Sequence, residues 1–398
     1  MLIGIDASRA FVPQKTGVEN YSWHLIRELS RLTLSPSNNL DFILYLRPGQ
    51  KPDFKLPSHW QVKIIPCRHF FTQIGLAKEI ILHPPAVLFI PAHTLPLVAK
   101  LLRPRTKTVV TIHGWEAGFL PAAYALRSRL WLAESTRWAV LLADHLITVS
   151  QATRKDLVQK LHCPPDKITV IPEGVDIQKF QTLNSKSQIE KIKQKYSLGE
   201  NYILFVGTLQ PRKNLNRLVR AAAYVLKIQP HLSLVIVGKK GWNYHSTLTL
   251  PRKLKIGKKV KFLHYVPDSD LPALYQAAAV FCFPSLAEGF GLPVLEAMAA
   301  KVPVVTSTTT SLPEVAGSAA ILVNPRSVTA IAAGLKLALG LPAQKSRGVR
   351  LSRDLKSLLP QKLPHQLIKR GQKQAAKFSW KNTADKSIKI LTQVGTEN

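Results

Sequence analysis

The sequence predicts an α/β protein made of two doubly wound halves in tandem. Short apolar runs rich in valine and isoleucine alternate with amphipathic stretches, which is typical of parallel α/β units. This rhythm occurs twice along the 398 residues, and a polar, lysine-rich stretch separates the two series. Two such halves leave a cleft, and ligands of such sheets bind beyond the carboxyl ends of the strands.

The first half contains apolar runs that have the length and composition of buried strands. They are LIGID at 2–6, DFILYL at 41–46, VKIIP at 62–66, AVLFIP at 86–91, KTVVTIH at 107–113 and HLITVS at 145–150. Between several of them lie stretches with helical periodicity, such as VENYSWHLIRELSRL and SRLWLAESTRWAVLLA.

The stretch QTLNSKSQIEKIKQKYSLGE at 181–200 has no strand character and marks the boundary between the halves. We place the first domain at 1–185, the second at 186–375 and a C-terminal helical segment at 376–398. The strands of the second half are predicted as NYILFVG at 201–207, LSLVIVG at 232–238, VKFLHYV at 260–266, AVFCFPS at 279–285, VPVVTS at 302–307 and AAILVNP at 319–325.

The chain is strongly basic, with 55 Lys and Arg against 23 Asp and Glu and a net charge of +32. Such a charge favours polyanionic partners, namely nucleic acid, anionic membrane or phosphorylated ligands, and the alternative is a surface adapted for solubility. Three cysteines without metal-ligand spacing indicate a reducing compartment. The first residues indicate a strand rather than a signal peptide, so we expect a cytoplasmic protein.

Two glutamates, eight positions apart, flank a glycine-rich turn in LAEGFGLPVLEAMAA. We expect Glu288 on the loop after a strand, a helix from Pro293 to about Ala300, and Glu296 in its first turn, near the positive end of the helix dipole. The amides around Phe290, Gly291 and Leu292 would then form an anion site at the helix N-terminus. The alternative is a helix-capping loop with a dipole-compensating glutamate.

The segment PSLAEGFGLPVLEAMAAKVPVVTS resembles the E-x(7)-E segment of the group-1 glycosyltransferases, which are retaining enzymes of the GT-B fold. The resemblance extends over almost the whole chain. Its other segments, in order, are TGVENYSWHLIREL, TIHGWEAGFLP, ITVSQATRKDL, VIPEGVDIQKF, YILFVGTLQPRKNLNRLVRA, LHYVPDSDLPALYQAAAVFCFPS and FSWKNTA. It implies two Rossmann-like domains facing a central cleft, with the helix at 376–398 crossing back onto the first domain.

The resemblance also implies roles for the glutamate segment. Glu296 would hold the ribose hydroxyls of a nucleotide-sugar donor, and Glu288 would contact the transferred sugar. The backbone N–H groups of Phe290 and Gly291 would contact the same sugar, and the amide of Leu292 would reach the distal phosphate. These roles agree with the local geometry expected above.

Arg212 and Lys213 are adjacent bases that follow the strand-and-glycine turn at Gly207. By resemblance they would neutralise the diphosphate leaving group, and the alternative is two solvated charges on a surface loop. Many family members place an arginine directly after the glycine, where this chain has Thr208. Arg212 is our candidate to replace that arginine at the diphosphate, and Lys213 corresponds to the lysine of the family motif.

Three further residues are assigned by resemblance. His113 ends a strand and would contact the sugar or the reacting centre, although it is followed by Gly114 where an aspartate is frequent. The N–H of Gly17 would approach the donor phosphate, and Val266 lies where the family's backbone meets the nucleotide base. The alternatives are a structural histidine at 113 and a plain helix-start turn at 17.

Asp268 and Asp270 form a D-x-D pattern that superficially resembles a metal site. Because LPALYQAA follows, we interpret Asp270 as a helix N-cap, and the resemblance implies no essential metal and no cofactor. By the same resemblance, the predicted reaction is retaining transfer of a hexose, with mannose as a guess, from a GDP- or UDP-sugar to a lipid-linked or oligosaccharide acceptor. The resemblance also implies that the leaving phosphate itself takes the acceptor proton.

The alternatives are a GT-B enzyme of another class, such as an epimerase or phosphorylase, or a nucleic-acid-binding protein supported by charge alone. Residues 239–261 hold eight Lys and Arg and no acids. Since family members commonly use lipid-linked acceptors, we expect peripheral contact with an anionic membrane and no nucleic acid. A helix at 121–138 that mixes arginine, tryptophan and leucine is a candidate interfacial element, or an ordinary core helix.

Overall fold

The computed structural model describes residues 1–34, 40–115, 126–182, 185–342 and 347–396, with the side chains of 126–132 left out. The described chain forms two compact units. Residues up to 174 and the C-terminal residues 379–396 make the first unit, and residues 175–378 make the second.

The first unit is built on a parallel sheet of seven strands. The strands are β1 (Leu2–Asp6), β2 (Asp41–Leu46), β3 (Trp60–Ile64), β4 (Val87–Ile90), β5 (Lys107–Ile112), β6 (His145–Thr148) and β7 (Ile168–Val170). Their order is β3-β2-β1-β4-β5-β6-β7 and every neighbouring pair is parallel. The inner strands are largely buried because helices cover both faces of such a sheet, whereas Val62 and Ile64 on the edge strand β3 are exposed.

Helices of the first unit connect these strands. Their bounds are Gly17–Leu32, Phe71–Leu76 (a π-helical turn), Ala77–Leu82, Leu97–Leu102, Leu126–Leu142, Gln151–Leu161, Pro165–Lys167 (a 3₁₀ turn) and Trp380–Thr396. The C-terminal helix Trp380–Thr396 packs along Gly17–Leu32. There the Trp380 ring stacks on His24, with ring centroids 4.8 Å apart.

The second unit repeats the plan with seven strands of its own. They are β8 (Asn201–Val206), β9 (Leu232–Val237), β10 (Val260–Leu263), β11 (Val280–Phe283), β12 (Val304–Ser307), β13 (Ile321–Val323) and β14 (Val349–Arg350). Their order is β10-β9-β8-β11-β12-β13-β14, parallel except for β14, which runs antiparallel to β13. The predicted fold class, two doubly wound halves, is confirmed.

Helices connect the strands of the second unit. Their bounds are Ile177–Gln181, Lys186–Lys195, Pro211–Lys213 (3₁₀), Leu215–Ile228, His245–Lys253, Gly257–Lys259 (3₁₀), Leu271–Gln276, Leu292–Ala299, Leu312–Ala316, Val328–Ala338, Arg353–Lys356, Pro360–Lys362 (3₁₀) and Leu363–Ala375. None of the helices in the described ranges is both long and apolar enough to cross a bilayer.

The boundary between the units lies at 174/175, whereas the predicted one lies at 185/186. The intervening segment belongs to the second unit because its side chains and carbonyls are satisfied there. The Phe180 ring packs edge-on against Tyr275, and the Gln276 amide donates to the carbonyls of Phe180 and Thr182.

Each sheet reverses its winding direction at one point, between β1 and β4 in the first unit and between β8 and β11 in the second. Ligands of doubly wound sheets bind beyond the carboxyl ends of the strands at this reversal. In the second unit, the segments that leave β8 and β11 carry the predicted residues Arg212, Lys213 and Glu288. The predicted helix at 121–138 falls partly outside the described residues.

Candidate active site

The glutamate loop joins β11 to the helix Leu292–Ala299, as predicted. Gly291 is the N-cap residue and has φ of 122°, a value that side-chain-bearing residues rarely adopt. A Cβ at this position would also lie 2.7 Å from Leu312 Cδ2. Both constraints explain why glycine stands immediately before the helix.

The helix N-terminus presents free donors to its surroundings. Within the described residues, the amides of Gly291 and Leu292 have no hydrogen-bond acceptor, as is usual for the first turn of a helix. Phe290, which precedes them, is buried and packs edge-on against the ring of Phe378. The geometry is that of an anion site at a helix N-terminus.

Glu288 lies between two cations. Its Oε2 accepts from Arg212 Nη1 at 2.7 Å and its Oε1 accepts from Lys213 Nζ at 2.7 Å. The side chains of Glu288, Arg212 and Lys213 are only 8%, 13% and 10% exposed. Burial raises the pKa of the Glu288 carboxyl, but the two cations outweigh this effect and the net pKa is lowered.

Hydrogen bonds tie the 3₁₀ turn Pro211–Lys213 to the glutamate loop. The Leu286 amide donates to the Arg212 carbonyl at 2.7 Å. The buried Asn214 amide donates to the carbonyls of Pro284 and Pro325 at 2.9 and 2.6 Å. Asn214 has φ of +61°, a conformation that asparagine tolerates better than most residues. The two bases and the glutamate are therefore held in one fixed cluster.

Hydroxyl groups from the segment after β12 hold the other side of the loop. Thr310 Oγ1 accepts from the Glu288 amide at 3.0 Å. Ser311 Oγ lies within hydrogen-bond distance of the carbonyls of Glu288 and Phe290, at 3.0 and 2.6 Å. These contacts position the backbone of Glu288 independently of its side chain.

Glu296 is the fifth residue of its helix, so it lies in the second turn. The prediction that it lies in the first turn is wrong. The prediction placed the helix start at Pro293, but the helix begins at Leu292. The carboxylate is stabilised by a side-chain donor, since Tyr275 Oη donates to its Oε2 at 2.7 Å. Burial raises the pKa of Glu296, and the Tyr275 hydrogen bond and the charge of Lys179 offset this only in part.

Gly207 and Val266, which are predicted to lie near the donor nucleotide, are found around the ends of β8, β9 and β10. Gly207 follows β8, and a Cβ there would lie 3.7 Å from Lys213 Cε, so this glycine adjoins the cation cluster. A Cβ at Gly238 would lie 2.0 Å from the Gly207 carbonyl oxygen, which shows how closely the two strand ends approach. Val266 is buried, whereas its neighbour Tyr265 is exposed and has Lys239 Nζ 5.3 Å from its ring centroid.

Asp270 occupies the N-cap position of the helix Leu271–Gln276, but its side chain makes no capping hydrogen bond. Instead its Oδ2 accepts from Lys195 Nζ and Tyr196 Oη, both at 2.6 Å. Asp268 pairs with Lys179 at 3.3 Å. The two carboxylates of the D-x-D pattern therefore serve different partners, and among the described residues no three His, Cys, Asp or Glu side chains come together as a metal site.

His113 follows β5 in the first unit, where both of its ring nitrogens have protein partners. Its Nε2 lies 2.8 Å from the Pro91 carbonyl and must carry a proton to bond there. Its Nδ1 lies 3.3 Å from Glu173 Oε1, and the ring packs edge-on against Tyr21. A direct contact between His113 and a sugar stays a prediction, since the ring would have to exchange one of these partners.

Gly17 begins the helix Gly17–Leu32, after the capping residue Thr16. A Cβ at Gly17 would meet no atom within 4 Å, so packing among the described residues does not require a glycine there. His93 lies near His113, with ring centroids 5.3 Å apart. Burial, with smaller contributions from His113 and Arg9, lowers the pKa of His93 to about 3, so its imidazole is neutral.

The structure brings Arg212, Lys213, Glu288 and Gly207 together, and it places the free amides of Gly291 and Leu292 on the loop that carries Glu288. Five supporting residues were not singled out from the sequence: Glu173, Asn214, Tyr275, Thr310 and Ser311. The first three lie inside segments that carry the family resemblance, which is the only signal that pointed to them. The two hydroxyl residues had no signal in the sequence.

Comparison with known proteins agrees with the tandem doubly wound architecture. Anabaena HepE, solved in complex with UDP and glucose, superposes with a TM-score of 0.69 at 18% identity, over 98% of this chain and 99% of that chain. The fold is GT-B. Residues 187–373 match the model of glycosyl transferases group 1, and residues 15–179 match that of glycosyltransferase family 4.

Curated relatives give the family. The chain is 31% identical over 284 residues to O-antigen chain mannosyltransferase B of Escherichia coli, which covers 71% of this chain and 69% of that relative. It is 32% identical over 256 residues to the serotype-specific mannosyltransferase WbdA of Escherichia coli, covering 63% of this chain but only 29% of that relative's length. The protein belongs to the group 1 glycosyl transferases, as the sequence motifs predicted.

Proposed function

We propose that this glycosyltransferase moves a hexose from a nucleotide-sugar donor to a glycan or lipid-linked acceptor, with retention of the anomeric configuration. The main support for this proposal is the buried cluster of Arg212, Lys213 and Glu288 at the point where the second sheet reverses its winding direction. Two cations held in place at a ligand-binding edge are suited to stabilise the charge that develops on a diphosphate leaving group. The adjacent free amides of the helix N-terminus add further hydrogen-bond donors, and the helix dipole there also favours negative charge.

The donor roles follow the chemistry of each group. Arg212 and Lys213 would contact the diphosphate, and the amides of Phe290, Gly291 and Leu292 would contact the sugar and the distal phosphate. Glu288 would accept from a sugar hydroxyl and Glu296 from the ribose. Gly207 and Val266 would border the nucleotide, while the donor-side roles of Gly17 and His113 are retained as proposals.

Mannose is the proposed sugar because both relatives named above are mannosyltransferases. The nucleotide is proposed to be GDP or UDP. We propose that no metal is essential, since Arg212 and Lys213 would supply the positive charge and Asp268 and Asp270 are each engaged by a lysine. Family membership favours transfer over epimerisation, phosphorolysis or nucleic-acid binding.

The proposed acceptor side includes an anionic membrane surface. In the first unit the helices Ala77–Leu82, Leu97–Leu102 and Leu126–Leu142 lie side by side. Large apolar side chains are exposed on them, namely Leu82, Val98, Leu101, Leu102, Trp138 and Leu141. Exposed bases flank these side chains, among them Lys78, Arg103, Arg105 and Arg137. Apolar groups with bases beside them have the chemistry of an interfacial face, and each base adds roughly 1 kcal/mol near an anionic leaflet.

The proposal is tested with a matched pair of glutamate variants. Glu288→Ala is expected to lower the turnover number at least about 100-fold, because it removes a group that contacts the reacting sugar and disturbs both phosphate-binding cations. Glu190→Ala, on the exposed helix Lys186–Lys195, is the control and should leave turnover unchanged. Turnover is measured as acceptor-dependent release of nucleoside diphosphate, and near-normal turnover of Glu288→Ala would contradict the proposal.

A further inference from the structure

The Glu288 carboxylate takes up the two cations that the proposed function assigns to the diphosphate. Each carboxylate oxygen accepts one charge-assisted hydrogen bond of 2.7 Å, from Arg212 on one side and Lys213 on the other. Bonds of this kind are about twice as strong as neutral ones. Burial of all three side chains keeps solvent from screening the attraction.

The remaining donors of the two cations are also directed at protein. Arg212 Nη1 donates to the Ala287 carbonyl at 3.1 Å, and the Lys213 ammonium lies 4.8 Å from the centroid of the Phe283 ring. The side chains thus meet a carboxylate, a carbonyl and an aromatic face, all of which attract a cation. A phosphate approaching this cluster must exchange the strongest of these contacts, which is the one with Glu288.

Resting on the proposed function, we propose that Glu288 is an internal competitor of the diphosphate. A bound diphosphate displaces its carboxylate from Arg212 and Lys213, and the released carboxylate becomes available to accept from the hydroxyl of the sugar. When the diphosphate product leaves, the carboxylate recovers both cations. Glu288 thus favours product release in addition to contacting the sugar.

The loop geometry allows this exchange without a backbone movement. The Glu288 amide and carbonyl are held by Thr310 and Ser311 at 3.0 Å each, whereas only the side chain contacts the cations. Rotation about the side-chain bonds of Glu288 is therefore sufficient. The Ser285 hydroxyl lies at the start of the same loop, is buried and makes no hydrogen bond within the described residues, so it offers the carboxylate a partner during the exchange.

The test uses inorganic pyrophosphate, which carries the diphosphate charge without base or sugar. Calorimetric dissociation constants are compared for the wild-type protein, Glu288→Gln and Glu190→Gln, the latter on the exposed helix Lys186–Lys195. Both variants remove one negative charge, but only the first removes the competitor. We expect pyrophosphate to bind Glu288→Gln about tenfold more tightly or better, because close charge pairs couple strongly, and to bind Glu190→Gln as the wild type does.

The outcomes separate this inference from the proposed function. If Glu288→Gln binds pyrophosphate no more tightly than the wild type, and Lys213→Gln loses binding, the competitor role is wrong and the diphosphate site stands. If Arg212→Gln and Lys213→Gln both bind pyrophosphate as the wild type does, the diphosphate site itself is wrong, and the inference fails with it.

A second variant guards against misfolding, because Glu288→Gln leaves two buried cations without their counter-charge. Glu288→Asp keeps the charge but shortens the side chain, so it reaches both cations less well. Its pyrophosphate affinity is expected between those of the wild type and Glu288→Gln, and an affinity at or below that of the wild type would overturn the competitor role.

Discussion

Glu288 and Glu296 are eight positions apart, yet their carboxyl groups have opposite pKa shifts. Burial raises the pKa of both, but Arg212 and Lys213 reverse the effect at Glu288, whereas Glu296 has the neutral Tyr275 hydroxyl as its hydrogen-bonding partner. Glu288 is therefore ionised over a wider pH range than a free glutamate. Ionised Glu296 costs folding free energy because it is buried, and such unfavourable groups are typical of binding sites.

Glu296→Gln is expected to stabilise the protein at neutral pH. A carboxyl group whose pKa is raised by folding costs stability once it is ionised, and the cost grows as pH rises from 4.5, the ordinary pKa of a glutamate, through the raised pKa. The variant should therefore unfold at a higher temperature than the wild type at pH 7 and at the same temperature near pH 4. Thermal unfolding at both pH values measures this.

The same variant is expected to raise the KM for the donor, since the amide replaces the carboxylate that we propose binds the ribose. The charges of Lys179 and Asp268 also act on this carboxyl group, and the substitution leaves both of them unchanged. A Glu296→Gln protein that is less stable than the wild type at pH 7, or that has an unchanged donor KM, would contradict this account of Glu296.

At the scale of elements, the site depends on two connections that leave neighbouring strands. The turn Pro211–Lys213 follows β8 and the glutamate loop follows β11, and these strands pair in parallel. Their side chains meet across 75 positions of sequence. The loop-to-helix connection was predictable from local residues, but the cation cluster was not, because strand order cannot be read from alternation alone.

Local patterns also mispredicted the position of one carboxylate and the partners of another. The one-residue error in the helix start put Glu296 in the wrong turn, and helix ends are the least predictable part of an element. Asp270 was correctly placed at an N-cap position, but Lys195 and Tyr196 compete for its carboxylate from 75 and 74 positions away. The strand β14, of two residues, has too short a pattern to be recognised.

Asn214→Ala is expected to lower the free energy of unfolding by about 2–4 kcal/mol. The change leaves two buried carbonyls without their donor and places alanine at a positive φ. It should also reduce turnover, since the turn that carries Arg212 and Lys213 loses its anchor. Denaturant unfolding and the transfer assay measure the two effects.

Asn216→Ala is the matched control for this change. Asn216 is exposed, and among the described residues its side chain bonds to the side chains of Ser246 and Thr247. It should cost about 1 kcal/mol or less and leave turnover unchanged. Equal losses in the two variants would show that Asn214 has no special role in the site.

At the scale of the whole molecule, the net charge of +32 is far larger than the donor site requires. We propose that part of this charge serves contact with an anionic bilayer, which would also suit the exposed apolar side chains of the first unit. The protein is expected to sediment with vesicles that contain about 30% phosphatidylglycerol and to be released by salt, because a surface potential is screened within a Debye length.

Leu101→Ser combined with Leu102→Ser should weaken this sedimentation, whereas Leu359→Ser, an exposed leucine of the second unit, should leave it unchanged. Equal binding to neutral phosphatidylcholine vesicles would contradict the charge argument. Equal sedimentation of all variants would contradict the choice of surface.

We propose that the protein transfers a sugar from a nucleotide donor with retention at the anomeric carbon. Nuclear magnetic resonance of reactions that contain GDP-mannose or UDP-sugars and a saccharide acceptor tests this directly, because it reports both the free diphosphate and the anomeric configuration of the product. We expect diphosphate release that requires acceptor, and an α-linked product from an α-linked donor. An inverted product, or conversion of the donor sugar without any transfer, would contradict it.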